Sequence, residues 1–251
     1  MSFENGRIIV TAAKNLKILE QEIDHEKGKS STDQLAAYFY RISNHEELFR
    51  IGKGFLHEVQ KGIKSFAFTS TGYKNSQQRT ILGLCCFFDQ NADYKIAIVS
   101  DLLSQGVFSE LIQSSTPHSY SLDKGEDIIN YSSFHHHFDF IDYAELSKFY
   151  DNHLYTKKFE NEVKKILDKY DLIFWDIPEM EKIKNHPHFH YRISHLYQSM
   201  TVIVSQNATS GKQVETIKNF FSNYNINLNG VLFDNTCAQD IPKRKKFLGL
   251  F

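Results

Sequence analysis

The chain has 251 residues and a formal net charge of −1, with 41% hydrophobic and 24% charged residues. That balance fits an ordinary soluble globular protein with a substantial core, and it offers no global electrostatic attraction to nucleic acid or to an anionic membrane. Cys85, Cys86 and Cys237 supply neither a disulfide framework nor a zinc pattern, so a reducing, cytoplasmic setting is expected. No apolar run approaches the ~20 residues of a membrane span, and the first residues lack a signal-peptide pattern. Any membrane association is therefore expected to come through a partner.

In chain order, residues 1–34 read as an N-terminal extension or linker, with a short apolar run at Ile8-Ile9-Val10 that suits a lone strand. Residues 35–251 read as one α/β domain. From Asp33 to Gly62, Leu35, Phe39, Ile42, Leu48, Phe49, Phe55 and Val59 recur at helical spacing, which predicts one long helix or two in succession. Ser65 to Ser70 reads as a buried strand, Thr71 to Ser76 as a polar loop and 77–90 as a helix. A second strand is expected over 94–99. The Ser- and His-rich stretch 104–137 gives no assignment, and 138–141 suits a short strand. Helical patterning returns over 143–169, strands are expected over 171–176, 200–204 and 228–233, and 210–224 reads as an amphipathic helix. Strands alternating with helices, each strand nearly continuously apolar, predict a mostly parallel sheet covered on both faces.

Three segments carry chemistry. The strand ending at Ser70 leads through a polar loop into a helix, the arrangement in which backbone N–H groups, a Lys and a Ser or Thr hold phosphates and magnesium. Ile98-Val99-Ser100-Asp101-Leu102 ends the next strand in a carboxylate. Tyr170 to Pro178 places Asp176 at the tip of an apolar strand, ahead of Ile177-Pro178. Open α/β sheets bind ligands at such carboxyl ends.

In order and spacing these segments resemble the MinD/ParA class of P-loop ATPases, and within it the bacterial tyrosine autokinases of capsule and exopolysaccharide export. The resemblance runs over roughly residues 45–235. Anchored on Ser70 and on Gly83-Leu84-Cys85, it sets the family's catalytic Gly, Lys and Ser/Thr on Ser76, Gln77 and Gln78. The implied nucleotide site is vestigial, comprising Gly72, Lys74, Ser76, Gln77, Gln78, Asp101 and Asp176, with no catalytic residue. Val99 stands where the family has the first Asp of Asp-x-Asp-Leu, and Asp101-Leu102 match the second Asp and its Leu. Gly230 to Asn235 resembles the Gly-Val-x-x-Asn ending, displaced by one residue. The family's E-x-x-R-x-x-R interface pattern falls on Glu47, Arg50 and Lys53, near one helical face. The plainer reading of that trio is an intrahelical pair on a solvated surface. The segment 242–251 is basic then apolar and lacks the tyrosines of the kinases' tails.

Other constellations are weaker. Gly28-Lys29-Ser30 copies the end of a phosphate loop without a strand leading into it, and Gly211-Lys212-Gln213 lacks the hydroxyl. His135 to His137, with His186, His188, His190 and His195, lack an accompanying Cys or a helical His-x-x-x-His with a catalytic carboxylate, and read better as surface or packed histidines. The resemblance thus implies a kinase-like scaffold acting by binding, without cofactor or metal. Its expected partners are further copies of itself and a membrane-bound polysaccharide-export or envelope protein. The alternative is an active ATPase or tyrosine kinase, with ATP and magnesium held by Lys74 or Arg79 together with Asp101 and Asp176.

Overall fold

The computed structural model describes residues 9–12, 31–71, 74–122, 127–134, 138–146, 164–179, 183, 196–205, 211–223 and 227–234. The described strands form one nine-stranded sheet. In chain order the elements are β1 (Ile9–Ala12), α1 (Ser31–Ser43), α2 (Glu46–Gln60), β2 (Ser65–Thr71), α3 (Lys74–Ala92), β3 (Ile96–Ser100), α4 (Gly106–Ile112), β4 (Thr116–Leu122), β5 (Asp127–Phe134), β6 (Phe138–Asp142), β7 (Leu172–Asp176), β8 (Ser199–Ser205), α5 (Gly211–Asn223) and β9 (Leu228–Asp234). Across the sheet the order is β1-β9-β8-β2-β7-β3-β6-β5-β4. Every pair from β1 to β6 is parallel, and β4 and β5 continue the sheet antiparallel.

Alternation along the strands explains why they read as unbroken apolar runs. Phe66, Phe68, Ile98 and Phe174 join one core with Phe39 of α1, Phe55 of α2, the 81–88 stretch of α3 and Phe108 of α4. Ala67, Val99, Trp175 and Val202 turn to the other core, with Ile217 and Phe221 of α5.

Several expectations are corrected. The expected lone strand pairs in parallel with β9, Val10 beside Leu232, and so belongs to the sheet edge. Of the two alternatives expected from Asp33 onward, two helices in succession is the one found, broken where Ser43 and Asn44 direct their side chains to the Tyr40 carbonyl and to Gln90, local bonds that compete with helix continuation. Gly62, at φ 95°, ends α2 and turns the chain toward β2. The unassigned stretch holds α4 and the β4–β5 hairpin, whose Ser- and Asn-rich strands lack the apolar runs of a central strand. The expected loop over Thr71 to Ser76 is shorter: β2 runs through Thr71, and α3 begins at Lys74.

Helices α2 and α3 approach closely through their glycines. A Cβ on Gly52 would stand 2.5 Å from the Phe87 ring, and one on Gly83 2.5 Å from Leu48 Cδ2. Gly83 is therefore a packing position.

Candidate functional site

Ser70, next to last in β2, and Ser100 and Asp176, which end β3 and β7, lie at neighbouring carboxyl ends. Each has the parity of the residues facing α3: Phe66 and Phe68, Ile96 and Ile98, Leu172 and Phe174. Topology thus delivers three polar side chains to the start of α3, where Gln77 stands. All four are buried.

The Gln77 amide nitrogen lies 2.6 Å from Asp176 Oδ1, 2.7 Å from the Ile177 carbonyl and 2.9 Å from the Phe68 carbonyl. An amide group facing three acceptors must present its nitrogen, which settles its orientation. The second carboxylate oxygen of Asp176 accepts from Ser100 Oγ at 2.6 Å. Ser100 Oγ in turn accepts from the Leu102 N–H at 3.1 Å, pinning the turn that carries Asp101. Asp101 is half-buried just beyond β3. Gln77 Oε1 and Ser70 Oγ are buried without a hydrogen-bond partner among the described residues, a cost that the rest of the fold must offset.

Gln78 works in another direction. Its Oε1 accepts from the Val107 N–H at 2.9 Å, and its amide nitrogen donates to the Gln105 carbonyl at 3.2 Å. Gln105 is the N-cap residue of α4 and makes no side-chain capping bond. Gln78 therefore satisfies an orphan donor of the first turn of α4 from a different helix.

Ser76 lies in the first turn of α3, with its carbonyl accepting from Thr80 Oγ1 at 2.8 Å. Arg79 is half-buried on the same helix. Gly72 lies outside the described residues, as do the side chain of Lys74, the histidines at 135–137, 186, 188, 190 and 195, the Gly28-Lys29-Ser30 segment and the 242–251 segment. Among the described residues no group of three or more His, Cys, Asp or Glu could hold a metal ion, and no helix is long and apolar enough to cross a membrane.

On α2, Glu47 is half-buried, whereas Arg50 and Lys53 are exposed. The Lys53 ammonium lies 5.2 Å from the centre of the Phe49 ring and 6.0 Å from that of Phe87, so the aromatics beside Gly52 hold it by cation–π attraction. Sequence reasoning missed Ser100, whose signal was a hydroxyl two residues beyond Ile98 at the strand end. It also missed the pairing of Gln77 with Asp176, residues 99 positions apart.

A mostly parallel sheet in which the carboxylate ending one strand meets the start of the helix that follows the neighbouring strand has the architecture of a P-loop α/β domain. Solved tyrosine kinase domains share it. The kinase domain of Escherichia coli tyrosine kinase ETK superposes with a TM-score of 0.61 at 13% identity, over 92% of this chain and 90% of that chain. The BceF tyrosine kinase domain gives 0.51 at 8% identity, over 91% and 92%. The chain therefore has the fold of bacterial tyrosine kinase domains. No family model and no curated protein match its sequence.

Proposed function

We propose that this chain is a catalytically degenerate member of the tyrosine-kinase fold that acts by binding, as a scaffold subunit of a polysaccharide-export or cell-envelope assembly. The observation that carries the reading is the commitment of Gln77. Where the resemblance sets the phosphate-binding Lys, a neutral amide is fixed to Asp176 and to two backbone carbonyls. It has no ammonium to offer a phosphate. Where the resemblance sets the magnesium hydroxyl, the Gln78 amide is bonded at the start of α4. The side chains at these two positions do not fit a magnesium nucleotide, and no catalytic step is assigned through one. Gly72, Lys74, Ser76, Asp101 and Asp176 complete the vestigial site in this reading.

Residues 35–251, together with the start of α1 and the strand β1 that joins their sheet, act as one domain in this proposal, and the exposed Arg50 and Lys53 with Glu47 form a contact between subunits. Lys53 lacks the bidentate fork of Arg, which favours a weaker contact than in the kinases. The envelope partner follows from the resemblance alone. Assays for ATP hydrolysis and tyrosine phosphorylation test the proposal. No turnover above background is expected, and magnesium-dependent turnover abolished by Asp176→Ala would overturn it.

A further inference from the structure

Strand β4 closes one side of the sheet, and among the described strands it pairs with β5 alone. Thr116, Pro117, His118, Ser119 and Ser121 are exposed. Sheet edges are ordinarily guarded by charged side chains, because unpaired backbone groups invite another strand. From Gln113 to Leu122 this chain has no Asp, Glu, Lys or Arg. Its single guard is Pro117.

Pro117 also fixes which way the strand presents its backbone. Proline cannot donate to a ladder, so within an edge strand its nitrogen lies on the open side. Backbone direction alternates, so Ser119 and Ser121 also point N–H and C=O outward, while His118 and Tyr120 bond toward their partners Tyr131 and Ile129 on β5.

We propose that β4 is a self-association edge, pairing antiparallel with β4 of a second copy of this chain about a two-fold axis at Ser119. In that register Ser119 exchanges both backbone bonds with its counterpart. Ser121 donates to the carbonyl of the opposing Pro117, so the missing donor of proline costs only one acceptor on each side. Every outward N–H of the strand then has a partner. The same register sets His118 opposite Tyr120 of the second copy, in the non-hydrogen-bonded relation where side chains stand nearest. Those rings already belong to a stack: Tyr131 lies 5.2 Å from His118 and 4.8 Å from Tyr120, and the Lys169 ammonium lies 3.5 Å from the centre of the Tyr120 ring. A second copy is the occupant because the strand holds no Asp, Glu, Lys or Arg and is complementary to itself, so no such side chain of one strand is set against its own like in the other. This edge is separate from the α2 contact proposed above.

Sedimentation equilibrium on the full chain tests it, with Ser119→Pro as the first variant. That substitution removes an outward N–H and leaves the bonds to β5 in place. The dimer dissociation constant is expected to rise at least about tenfold, from the loss of the two central bonds. The second test needs no loss of signal. In a Cys237→Ser background, Ser119→Cys should form an intermolecular disulfide on mild oxidation, since Cα atoms of such a pair lie about 5.5 Å apart, within disulfide reach. Ser121→Cys should not, because its counterpart stands four residues along the strand, roughly 13 Å away. A monomer at tens of micromolar, cross-linking at position 121 in preference to 119, or a dimer unmoved by Ser119→Pro and dissolved by Arg50→Glu would each overturn the edge pairing.

Discussion

Replacing Gln77 by Met isolates the hydrogen bonds that hold Asp176, since Met matches the length of Gln and carries no donor. The wild-type amide makes a bond to a charged oxygen at 2.6 Å and one to the Ile177 carbonyl at 2.7 Å. Its third contact, the Phe68 carbonyl, keeps a partner in the Ile177 N–H at 2.9 Å. Bonds to charged groups contribute about 1.5–3 kcal/mol and neutral ones about 1 kcal/mol. Against that, Met removes the buried Gln77 Oε1, which has no hydrogen-bond partner among the described residues, and so recovers on the order of 1 kcal/mol. The net expectation is a loss of about 2 kcal/mol at pH 7. With a urea dependence near 3 kcal/mol per molar, the midpoint falls by about 0.7 M. Gln77→Lys should recover most of the loss, because its ammonium can pair with the same carboxylate. A Gln77→Met midpoint within about 0.2 M of wild type would refute the reasoning, as would a Lys variant less stable than Met.

Further outcomes follow from neighbouring geometry. Gln78→Met strips the first turn of α4 of its borrowed acceptor and should cost about 1–2 kcal/mol in urea melts, with faster amide exchange at Val107. Gly52→Ala drives a methyl into the Phe87 ring and should cost about 1–3 kcal/mol, whereas Gly83→Ala meets only the end of Leu48, with a helix-propensity gain of up to about 1 kcal/mol in opposition. A Gly83 variant less stable than the Gly52 variant would contradict that ranking. Burial raises the pKa of the Cys85 and Cys86 thiols, as does the nearby Asp89 carboxylate, and burial followed by the Asp89 hydrogen bond raises that of Tyr40. A raised folded-state pKa gives stability that is complete below the unfolded pKa and is lost as pH climbs above it. Urea midpoints should therefore fall above about pH 9, less steeply in Cys86→Ala, and neither thiol should react with a disulfide reagent in native protein at pH 8.

The parallel part of the fold was legible because two-sided burial forces unbroken apolar strands. Phe66-Ala67-Phe68 and Ile173-Phe174-Trp175 each supply both cores at once. The antiparallel hairpin was not legible, since β4 and β5 lie at the sheet's margin and hold Ser, His and Asn where solvent reaches. Asp176 announced itself as a carboxylate ending an apolar strand. Where Gln77 and Gln78 point depends on contacts 99 and 29 residues away, a distance at which local pattern carries no information. Two adjacent glutamines on a helix lie about 100° apart, which is why one reaches β7 and the other α4.

The central claim is that the start of α3 is committed to the protein's own carboxylate and backbone and not to a nucleotide. Calorimetric titration of ATP and ADP, with magnesium, into the purified chain tests it directly. The account predicts no binding heat up to millimolar nucleotide. Saturable, magnesium-dependent binding that disappears in Asp176→Ala would contradict it.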